Sequence, residues 1–284
     1  MHSASALFVV LLVRNFFVNS LIIIPETMKR AILVAVVAIF GVQTALAWGT
    51  LGHKVIVEIA KRHISEQTKA NIAKYMPYDM CDDALWMDYH RKDKPIAYTT
   101  AWHVYNVDEN YQYDPNPRLY KGDAIHALKV ADYNLRNYRE QTDSAVLMNL
   151  RMLIHFAGDI HCPTHSYVPG PRAHWACTLN GKKVSFHGVY DSMPEWLHPG
   201  ESVADVATEI DNAKKSEIKR IQRGDLHEWA HDIGSRNAVI YEWNEHNRKV
   251  LDPNTVELSR ELVNLQMRNA GYRLAYLLDL YFGK

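Results

Sequence analysis

A helical repeat of apolar residues runs through most of the chain after residue 48, and it limits the possible folds more than any other feature. Between Leu51 and Ile64 the repeat places Val55, Ile59 and Ala60 on one face of a helix. The other segments with helical spacing are 70–75, 82–89, 124–137, 144–159, 187–196, 203–221, 226–244 and 256–282. The sequence therefore predicts a mainly α, single-domain protein.

Two segments depart from the helical pattern. Residues 96–117 are aromatic and polar and end in proline, which predicts an irregular loop. Residues 178–186 alternate around Asn180-Gly181, a dipeptide typical of tight turns, and so predict a small β-hairpin.

Two His-x-x-x-Asp pairs stand out within the helical segments. They are His155 with Asp159 and His187 with Asp191. A spacing of four places both side chains on one helix face, and imidazole and carboxylate groups suit zinc. One pair alone is explained more simply by a histidine bonded to a nearby aspartate. Two pairs, with His165 just beyond the helix-stopping Pro163, favour a metal site.

The start of the chain has the features of an export signal. A short basic stretch at 28–30 precedes an apolar run at 31–42 and a small-x-small cleavage pattern at 45–47. We expect this signal peptide to be removed before Trp48, and the protein to be periplasmic or secreted.

The predicted cleavage divides the chain into three parts, 1–27, 28–47 and 48–284. The first is interpreted as an upstream segment included through a wrong start codon, with a membrane anchor as the alternative. The second is the signal peptide, and the third is the functional domain. We expect no membrane attachment of the processed form and no stable protein partner.

The charge of the processed chain limits how it could bind nucleic acid. Removing the three basic residues and one acid of 1–47 from totals of 32 each leaves 29 basic and 31 acidic side chains. A net charge near −2 argues against a broad basic binding face. If the protein meets phosphates, something other than Lys and Arg must supply most of the positive charge, and a metal cluster would do so.

Three cysteines follow the cleavage point, Cys81, Cys162 and Cys177. Since an exported chain permits disulfides, we expect one bridge and one remaining thiol. Cys162 and Cys177 are nearest in sequence, but the pairing stays open. The lack of a Cys-x-x-Cys pair argues against a zinc-thiolate role.

Trp48 gains a special position if the signal peptide is removed. Its freed α-amino group and its own carbonyl oxygen could chelate a metal ion, because metal binding displaces the amine's proton. His53 lies five residues further on and could reach the same ion. The alternative is that Trp48 is an aromatic core residue near a processed terminus.

With these motifs the chain resembles the zinc-dependent class I nucleases, a family of single-strand nucleases and 3′-nucleotidases. That family shares the trinuclear-zinc fold of phospholipase C. The resemblance rests on the order and spacing of WGTLGH, LWMDYHR, AWHVYNVDEN, HFAGDIHCPTH, FHGVYDSMPEW and AGYRLAYLL. It implies a phosphodiesterase acting on single-stranded DNA or RNA and on 3′-nucleotides, which breaks the P–O3′ bond and leaves 5′-phosphorylated products.

The resemblance also implies a set of ligands for three zinc ions. The first ion would be held by Trp48 and His53, and the second by Asp88, His103 and His155. Asp159 would bridge these two ions. The third ion would be held by His165, His187 and Asp191.

Substrate contacts follow from the same resemblance. Arg91 would contact the phosphate, where its guanidinium suits the charge developing at phosphorus, and Asp88, Arg91 and Asp159 would be the catalytic residues. The family often has an aromatic residue directly after the loop histidine and an acid two residues later. Here Val104 and Asn106 occupy those positions, with Tyr105 between them. We expect Tyr105 and Asn106 to contact the substrate, and the base preference stays open.

Two other activities compete with this one, and a non-catalytic zinc-binding protein is a third alternative. A phospholipase C would break a phosphodiester with the same kind of metal cluster, but the short spacing from Trp48 to His53 favours a nuclease. The stretch HEWAHDIGSRN contains His227-Glu228-x-x-His231, a metalloprotease pattern. A protease would leave the other candidate ligands unexplained, so we expect this segment to be a structural helix with Trp229 and Tyr241 packed inward.

Overall fold

The computed structural model describes residues 48–115, 122–167, 176–179, 181–245, 250–252 and 254–284. Its elements all belong to one compact unit, Ala45–Lys284. The predicted signal peptide, the upstream segment and Asn180 lie outside the described residues. Within the described chain, every helix is too short or too polar to cross a bilayer.

Helices make up most of the described chain, which confirms the mainly α prediction. The helices are α1 (Thr50–His63), α2 (Glu66–Ile72), α3 (Trp86–His90), α4 (Ala124–Arg136), α5 (Asp143–Asp159), α6 (Phe186–Asp191), α7 (Met193–Leu197), α8 (Val203–Ile210), α9 (Lys215–Ile221), α10 (Leu226–Glu245) and α11 (Thr255–Phe282). Short 3₁₀ turns occur at Met80–Asp83, Ala97–Ala101 and Tyr138–Glu140.

Two small sheets accompany the helices. Strand β1 (Tyr105–Asn106) pairs in parallel with β2 (Ser166–Tyr167). Strand β3 (Ala176–Leu179) pairs antiparallel with β4 (Lys182–Ser185), as the alternating pattern predicts. Gly181 has a φ of +75° between β3 and β4, a backbone conformation that glycine adopts without a steric cost.

Helices α1 and α11 share the most extensive helix contact, and α4 and α5 form the next largest pair. The predicted apolar face of α1 is fully buried at Val55, Ile59 and Ala60. The start of α5 is fixed by Thr142, whose side chain accepts a hydrogen bond from Ala145 N. The last eight residues of α5 are all buried, so the core encloses the polar side chains that they carry.

Three predicted helices are each broken into two shorter elements. The 82–89 segment breaks at Ala84 and Leu85, the 187–196 segment at Ser192, and the 203–221 segment over 211–214. At the third break the carboxylate of Asp211 accepts hydrogen bonds from His63 Nε2 and Tyr272 Oη, each at 2.8 Å. These contacts with α1 and α11 hold Asp211 outside the helix.

Gly271 allows α1 and α11 to approach closely. A Cβ atom at this position would lie 2.6 Å from Ile59 Cγ2 and 3.1 Å from the carbonyl oxygen of Ile56. Since both helices are packed into the core, an added methyl group there requires a shift of a helix backbone.

We predict that Gly271→Ala lowers the free energy of unfolding by about 1–3 kcal/mol through overpacking, although alanine favours a helix over glycine by about 1 kcal/mol. Urea unfolding measures this change. Glu261→Ala, at an exposed position of α11, is the control and should stay within about 0.5 kcal/mol of the wild type. An equal or higher stability of Gly271→Ala would contradict the close helix contact.

Candidate metal centre

The C-terminal turn of α5 places His155 and Asp159 on one face, and both side chains are fully buried. The helix break before α3 leaves the carbonyl oxygen of Ala84 free to accept a hydrogen bond from His155 Nδ1 at 2.9 Å. That bond fixes the tautomer and directs Nε2 of His155 toward the carboxylates.

Four side chains, two of them on α5, direct donor atoms toward a single point. His103 Nδ1 lies 2.8 Å from Asp159 Oδ2, 3.2 Å from His155 Nε2 and 3.7 Å from Asp88 Oδ1. His155 Nε2 lies 3.3 Å from Asp159 Oδ2 and 3.8 Å from Asp88 Oδ2. A tetrahedral zinc site with bonds near 2.0 Å has donor atoms about 3.3 Å apart. The spacing of these atoms therefore fits one shared cation.

The second oxygen of Asp159 faces a different pair of imidazoles. Asp159 Oδ1 lies 3.5 Å from His53 Nε2 and 3.6 Å from His165 Nδ1. The ring of His53 stacks on His155 with centroids 4.3 Å apart. This packing needs Gly158, because a Cβ there would lie 2.8 Å from His53 Nδ1. Asp159 thus has the geometry of a carboxylate that bridges two ions.

A further group of donors lies beside Asp191. His165 Nε2 is 3.4 Å from Asp191 Oδ1, and His187 Nε2 is 3.4 Å from Asp191 Oδ2. The rings of His165 and His187 stack in parallel, with centroids 4.7 Å apart. Cys162 joins the same group, with its Sγ 3.7 Å from Asp191 Oδ1.

Many polar atoms of these groups are buried and, within the described part of the chain, have no hydrogen-bond partner. They are His53 Nε2, both carboxylate oxygens of Asp88, His103 Nε2, Asp159 Oδ1, both ring nitrogens of His165 and Asp191 Oδ2. Each such atom costs about 1–3 kcal/mol if it stays unsatisfied. The side chains present therefore fit bound divalent cations, which would satisfy several of these atoms at once.

The protonation of the cluster leads to the same conclusion. Burial raises the pKa of Asp191 to about 8 and lowers the pKa of His165 to about 4. Burial acts against the charged form of His155 as well, but Asp159 and Asp88 outweigh it and raise its pKa to about 9. His155 and His103 hold the pKa of Asp159 well below its usual value despite burial. His155 and Asp191 therefore hold protons near neutral pH, and cations binding here would displace them.

Trp48 begins the described chain beside this cluster. Its side chain is fully buried, and the indole N–H donates to the carbonyl oxygen of Gly158 at 2.9 Å. Gly49 N donates to the carbonyl oxygen of Asp191 at 2.6 Å. These two bonds hold Trp48 and Gly49 against the C-terminal ends of α5 and α6.

Glu195 fixes the N-terminus of α1. Its Oε1 accepts a hydrogen bond from Leu51 N at 2.9 Å, which provides the cap that Gly49, without a side chain, does not. A Cβ on Gly49 would overlap the Glu195 carboxylate. Glu195 is not among the site residues predicted from the sequence. Its spacing of four residues from Asp191 could have indicated a place near the candidate site. Its hydrogen-bond partner, Leu51 N, is too distant in sequence to be recognised from a local pattern.

The three expected substrate contacts lie in different surroundings. Arg91 Nη1 is 3.7 Å from Asp88 Oδ1, and the side chain is partly exposed at the edge of the metal-binding groups. Asn106 is partly exposed. Tyr105 is fully buried, with its hydroxyl donating to the carbonyl oxygen of Ile160 at 3.2 Å. A ring without exposed surface has no face for a base, so the structure corrects the expectation for Tyr105.

The three cysteines are all free, which corrects the expected disulfide among them. Cys81 Sγ contacts the carbonyl oxygen of Lys54 at 3.7 Å. Cys162 is in the group around Asp191, and Cys177 lies on β3. The Cys-x-x-His spacing of Cys162 and His165 was the signal that could have placed this thiol near a metal.

The His-Glu-x-x-His segment forms part of α10, as predicted, with Trp229 and Tyr241 buried. Glu228 accepts a hydrogen bond from Asp225 N at 3.0 Å and so caps its own helix. His227 and His231 instead contact Lys129 and Gln112. In the part of the chain that the structure describes, the donor groups suited to a metal include neither histidine.

His161 belongs to a buried network behind the metal-binding groups. Its Nδ1 donates to the carbonyl oxygen of Ala157 at 2.8 Å, and its Nε2 lies 3.0 Å from Arg273 Nη1. Arg273 also bonds Asp232 Oδ2 at 2.8 Å. Burial, reinforced by Arg273, lowers the pKa of His161 to about 3. The neutral ring therefore joins the end of α5 to α11, as expected of a hydrogen-bonded histidine outside the ligand set.

A sequence model of the S1/P1 Nuclease family matches residues 48–283. The chain belongs to the S1/P1 nuclease family. The family match begins at Trp48 and covers all the residues of the candidate centre, in agreement with the resemblance seen in the motifs.

Curated relatives are similar over parts of the chain. Endonuclease 4 of Arabidopsis thaliana is 27% identical over 166 residues, which are 52% of this chain and 56% of that protein. Nuclease S1 of Aspergillus oryzae is 22% identical over 65% of this chain and 67% of its own length. Nuclease P1 of Penicillium citrinum is 21% identical over 80% of this chain and 95% of its own length. The chain thus spans little more than half the length of the plant relative.

We predict that the free energy of unfolding of the metal-free protein falls as the pH is lowered, and that His161 contributes to this fall. The folded pKa of about 3 lies below the ordinary 6.5, so between these values the unfolded chain binds more protons. The contribution of His161 to stability is complete above pH 6.5 and is lost toward pH 3. Over this range it changes the free energy of unfolding by at most about 1.4 kcal/mol per pH unit.

Urea unfolding between pH 7 and pH 5 measures this slope. His161→Gln should flatten the decline relative to the wild type, because glutamine does not titrate. His126→Gln, which changes an exposed histidine on α4, should run parallel to the wild type. Parallel curves for the wild type and His161→Gln would exclude a neutral folded-state His161.

Proposed function

We propose that this chain is a zinc-dependent phosphodiesterase that hydrolyses single-stranded nucleic acids and 3′-nucleotides. The bond broken is P–O3′, and the products carry 5′-phosphates. Membership of the S1/P1 nuclease family supports the reaction class. The names of the relatives, which are nucleases and endonucleases, support nucleic acid as the substrate.

The observation that carries the proposal is the position of Asp159 between two pairs of imidazoles. Its Oδ2 faces His103 and His155, and its Oδ1 faces His53 and His165. A carboxylate with both oxygens directed at separate sets of nitrogen donors suits a pair of nearby ions. Closely spaced metal pairs are a common arrangement for in-line displacement at phosphorus.

The proposed ligands for three zinc ions are those of the resemblance. The first ion would be held by Trp48 and His53, the second by Asp88, His103 and His155, and Asp159 would be shared between them. The third would be held by His165, His187 and Asp191. Zinc bound there would supply Lewis acidity toward a phosphoryl oxygen and would make water a better nucleophile near neutral pH.

Arg91 is proposed to orient the phosphate at the edge of this centre. Its guanidinium is within 3.7 Å of Asp88, which holds it over the second group of donors while leaving it partly exposed. Lys92, Asp93 and Lys94 follow it and are all exposed, so the segment keeps an excess of positive charge. This local positive charge suits a phosphodiester backbone although the processed chain has a slight negative net charge.

Export and processing before Trp48 are part of the proposal. The family match starts at Trp48, and the indole of this residue donates a hydrogen bond to the carbonyl oxygen of Gly158, the residue before Asp159. Cleavage before Trp48 would free the α-amine that is proposed to bind the first ion. The domain of the processed enzyme would then be 48–284.

We predict that zinc-loaded processed protein hydrolyses single-stranded DNA and 3′-nucleotides, and that Asp159→Asn lowers this turnover roughly 100-fold or more. An amide is a weak metal ligand, and even supporting residues of metal sites cost about 10–100-fold when changed. Turnover and bound zinc are measured together. The control is Asp143→Asn, at an exposed position in the first turn of the same helix.

The same assay separates the alternatives when phosphatidylcholine and casein are offered as substrates. Zinc-dependent release of a phosphorylated headgroup without nucleic acid cleavage would replace this proposal with a phospholipase C. Cleavage of casein would favour a protease. Unchanged nuclease activity in Asp159→Asn would contradict the proposed centre.

We predict that one extra alanine ahead of Trp48 lowers both the zinc content and the activity of the processed protein. The added residue converts the free amine into an amide, which is a poor metal ligand at neutral pH. Metal analysis should give about one zinc fewer than in protein that starts at Trp48. Equal zinc content and activity in the two forms would refute the terminal ligand.

A further inference from the structure

We propose that Cys162 is a fourth protein ligand of the third ion and binds it as a thiolate together with His165, His187 and Asp191. This inference deepens the proposed function and rests on it. It also revises the expectation from the sequence that no cysteine has a zinc-thiolate role.

The turn after α5 brings Cys162 to the site. The amide of Cys162 donates to the carbonyl oxygen of Asp159 at 3.0 Å, and the amide of His165 donates to the carbonyl oxygen of Cys162 at 2.9 Å. These consecutive tight turns place both members of the Cys-x-x-His pair on the side of Asp191. Cys162 is fully buried there. Its Sγ and one donor atom each of His165 and Asp191 lie within 4.8 Å of one another.

The distances fit a shared ion. With a zinc–sulfur bond near 2.3 Å and a zinc–oxygen bond near 2.0 Å, tetrahedral geometry places sulfur and oxygen about 3.5 Å apart. Cys162 Sγ is 3.7 Å from Asp191 Oδ1. Nitrogen and oxygen ligands should be about 3.3 Å apart, and His165 Nε2 is 3.4 Å from the same oxygen.

Unsatisfied atoms at the same point indicate a ligand independently of the cysteine. His165 Nε2 and Asp191 Oδ2 are buried and, among the residues with described positions, lack a hydrogen-bond partner. The thiol of Cys162 is near Asp191 Oδ1 and, at 3.8 Å, Thr164 Oγ1. Such long contacts make weak hydrogen bonds, so the thiol alone does little to offset the buried carboxylate.

A thiolate changes the properties of the ion. It brings the protein ligands to four, as in structural zinc sites, and leaves fewer positions open for substrate or water. A thiolate ligand also favours soft cations such as Cd²⁺ over hard cations, which prefer oxygen ligands. Binding releases the thiol proton to solvent, so the wild-type protein should release one more proton than a serine variant when this ion binds.

Cobalt substitution tests the proposal, because a thiolate bound to Co²⁺ gives an intense near-ultraviolet sulfur-to-metal charge-transfer band. The processed protein is stripped with a chelator and reloaded with Co²⁺, and bound cobalt and absorption are measured together. We expect three bound ions and the band in the wild type. Cys162→Ser should lose the band, whereas Cys81→Ser and Cys177→Ser should keep it.

The double variant Cys81→Ser/Cys177→Ser leaves Cys162 as the only thiol and does not require any change at the site. A band in this protein would support the ligand even if Cys162→Ser fails to fold. Three bound ions without a band, or a band that persists in folded Cys162→Ser, would overturn this inference while the proposed function stands. Failure of the wild type to bind cobalt would count against the proposed metal centre itself, and against this inference with it.

Discussion

The carboxylate of Asp159 is the group around which this structure is organised. It is fully buried at the end of a helix, where a lone ionised carboxylate is strongly disfavoured. The fold compensates by directing four imidazoles toward its two oxygens, from α1, from the loop before β1, from α5 itself and from the turn before β2. Elements far apart in sequence therefore converge on one point of the core.

Small features of the backbone make this convergence possible. The amide of Tyr105 donates to the carbonyl oxygen of His165 at 2.9 Å, so the short β1–β2 pair sets the distance between the segments that carry His103 and His165. Gly158 leaves room for His53 to stack on His155. The helix break at Ala84 supplies the carbonyl oxygen that orients His155. The geometry of the candidate metal centre thus depends on backbone groups of Tyr105 and Ala84 and on the lack of a side chain at Gly158.

The sequence predicted what depends on local spacing. The bounds of α1, α4, α5, α10 and α11 agree with the apolar periodicity within one or two residues, and the two side chains of each His-x-x-x-Asp pair do lie together. Periodicity did not reveal the breaks at Ser192 and 211–214, because apolar spacing continues across them. Tyr105 was misjudged because a two-residue strand has no distinct pattern, and its burial is set by the packing of distant helices. The free Cys162 and the cap from Glu195 likewise depend on tertiary contacts.

The cap on α1 has a consequence for the order in which the molecule is assembled. The groups that hold Trp48 and Leu51, the carbonyl of Gly158 and the carboxylate of Glu195, lie 110 and 144 positions further along the chain, respectively. During synthesis in the N-to-C direction, these residues emerge well before their partners. Trp48 and the first turn of α1 then reach their final positions only after α5 and Glu195 are in place. Such long-range closure slows folding, and it would delay the capture of any ion that needs Trp48 until the rest of the domain is in position.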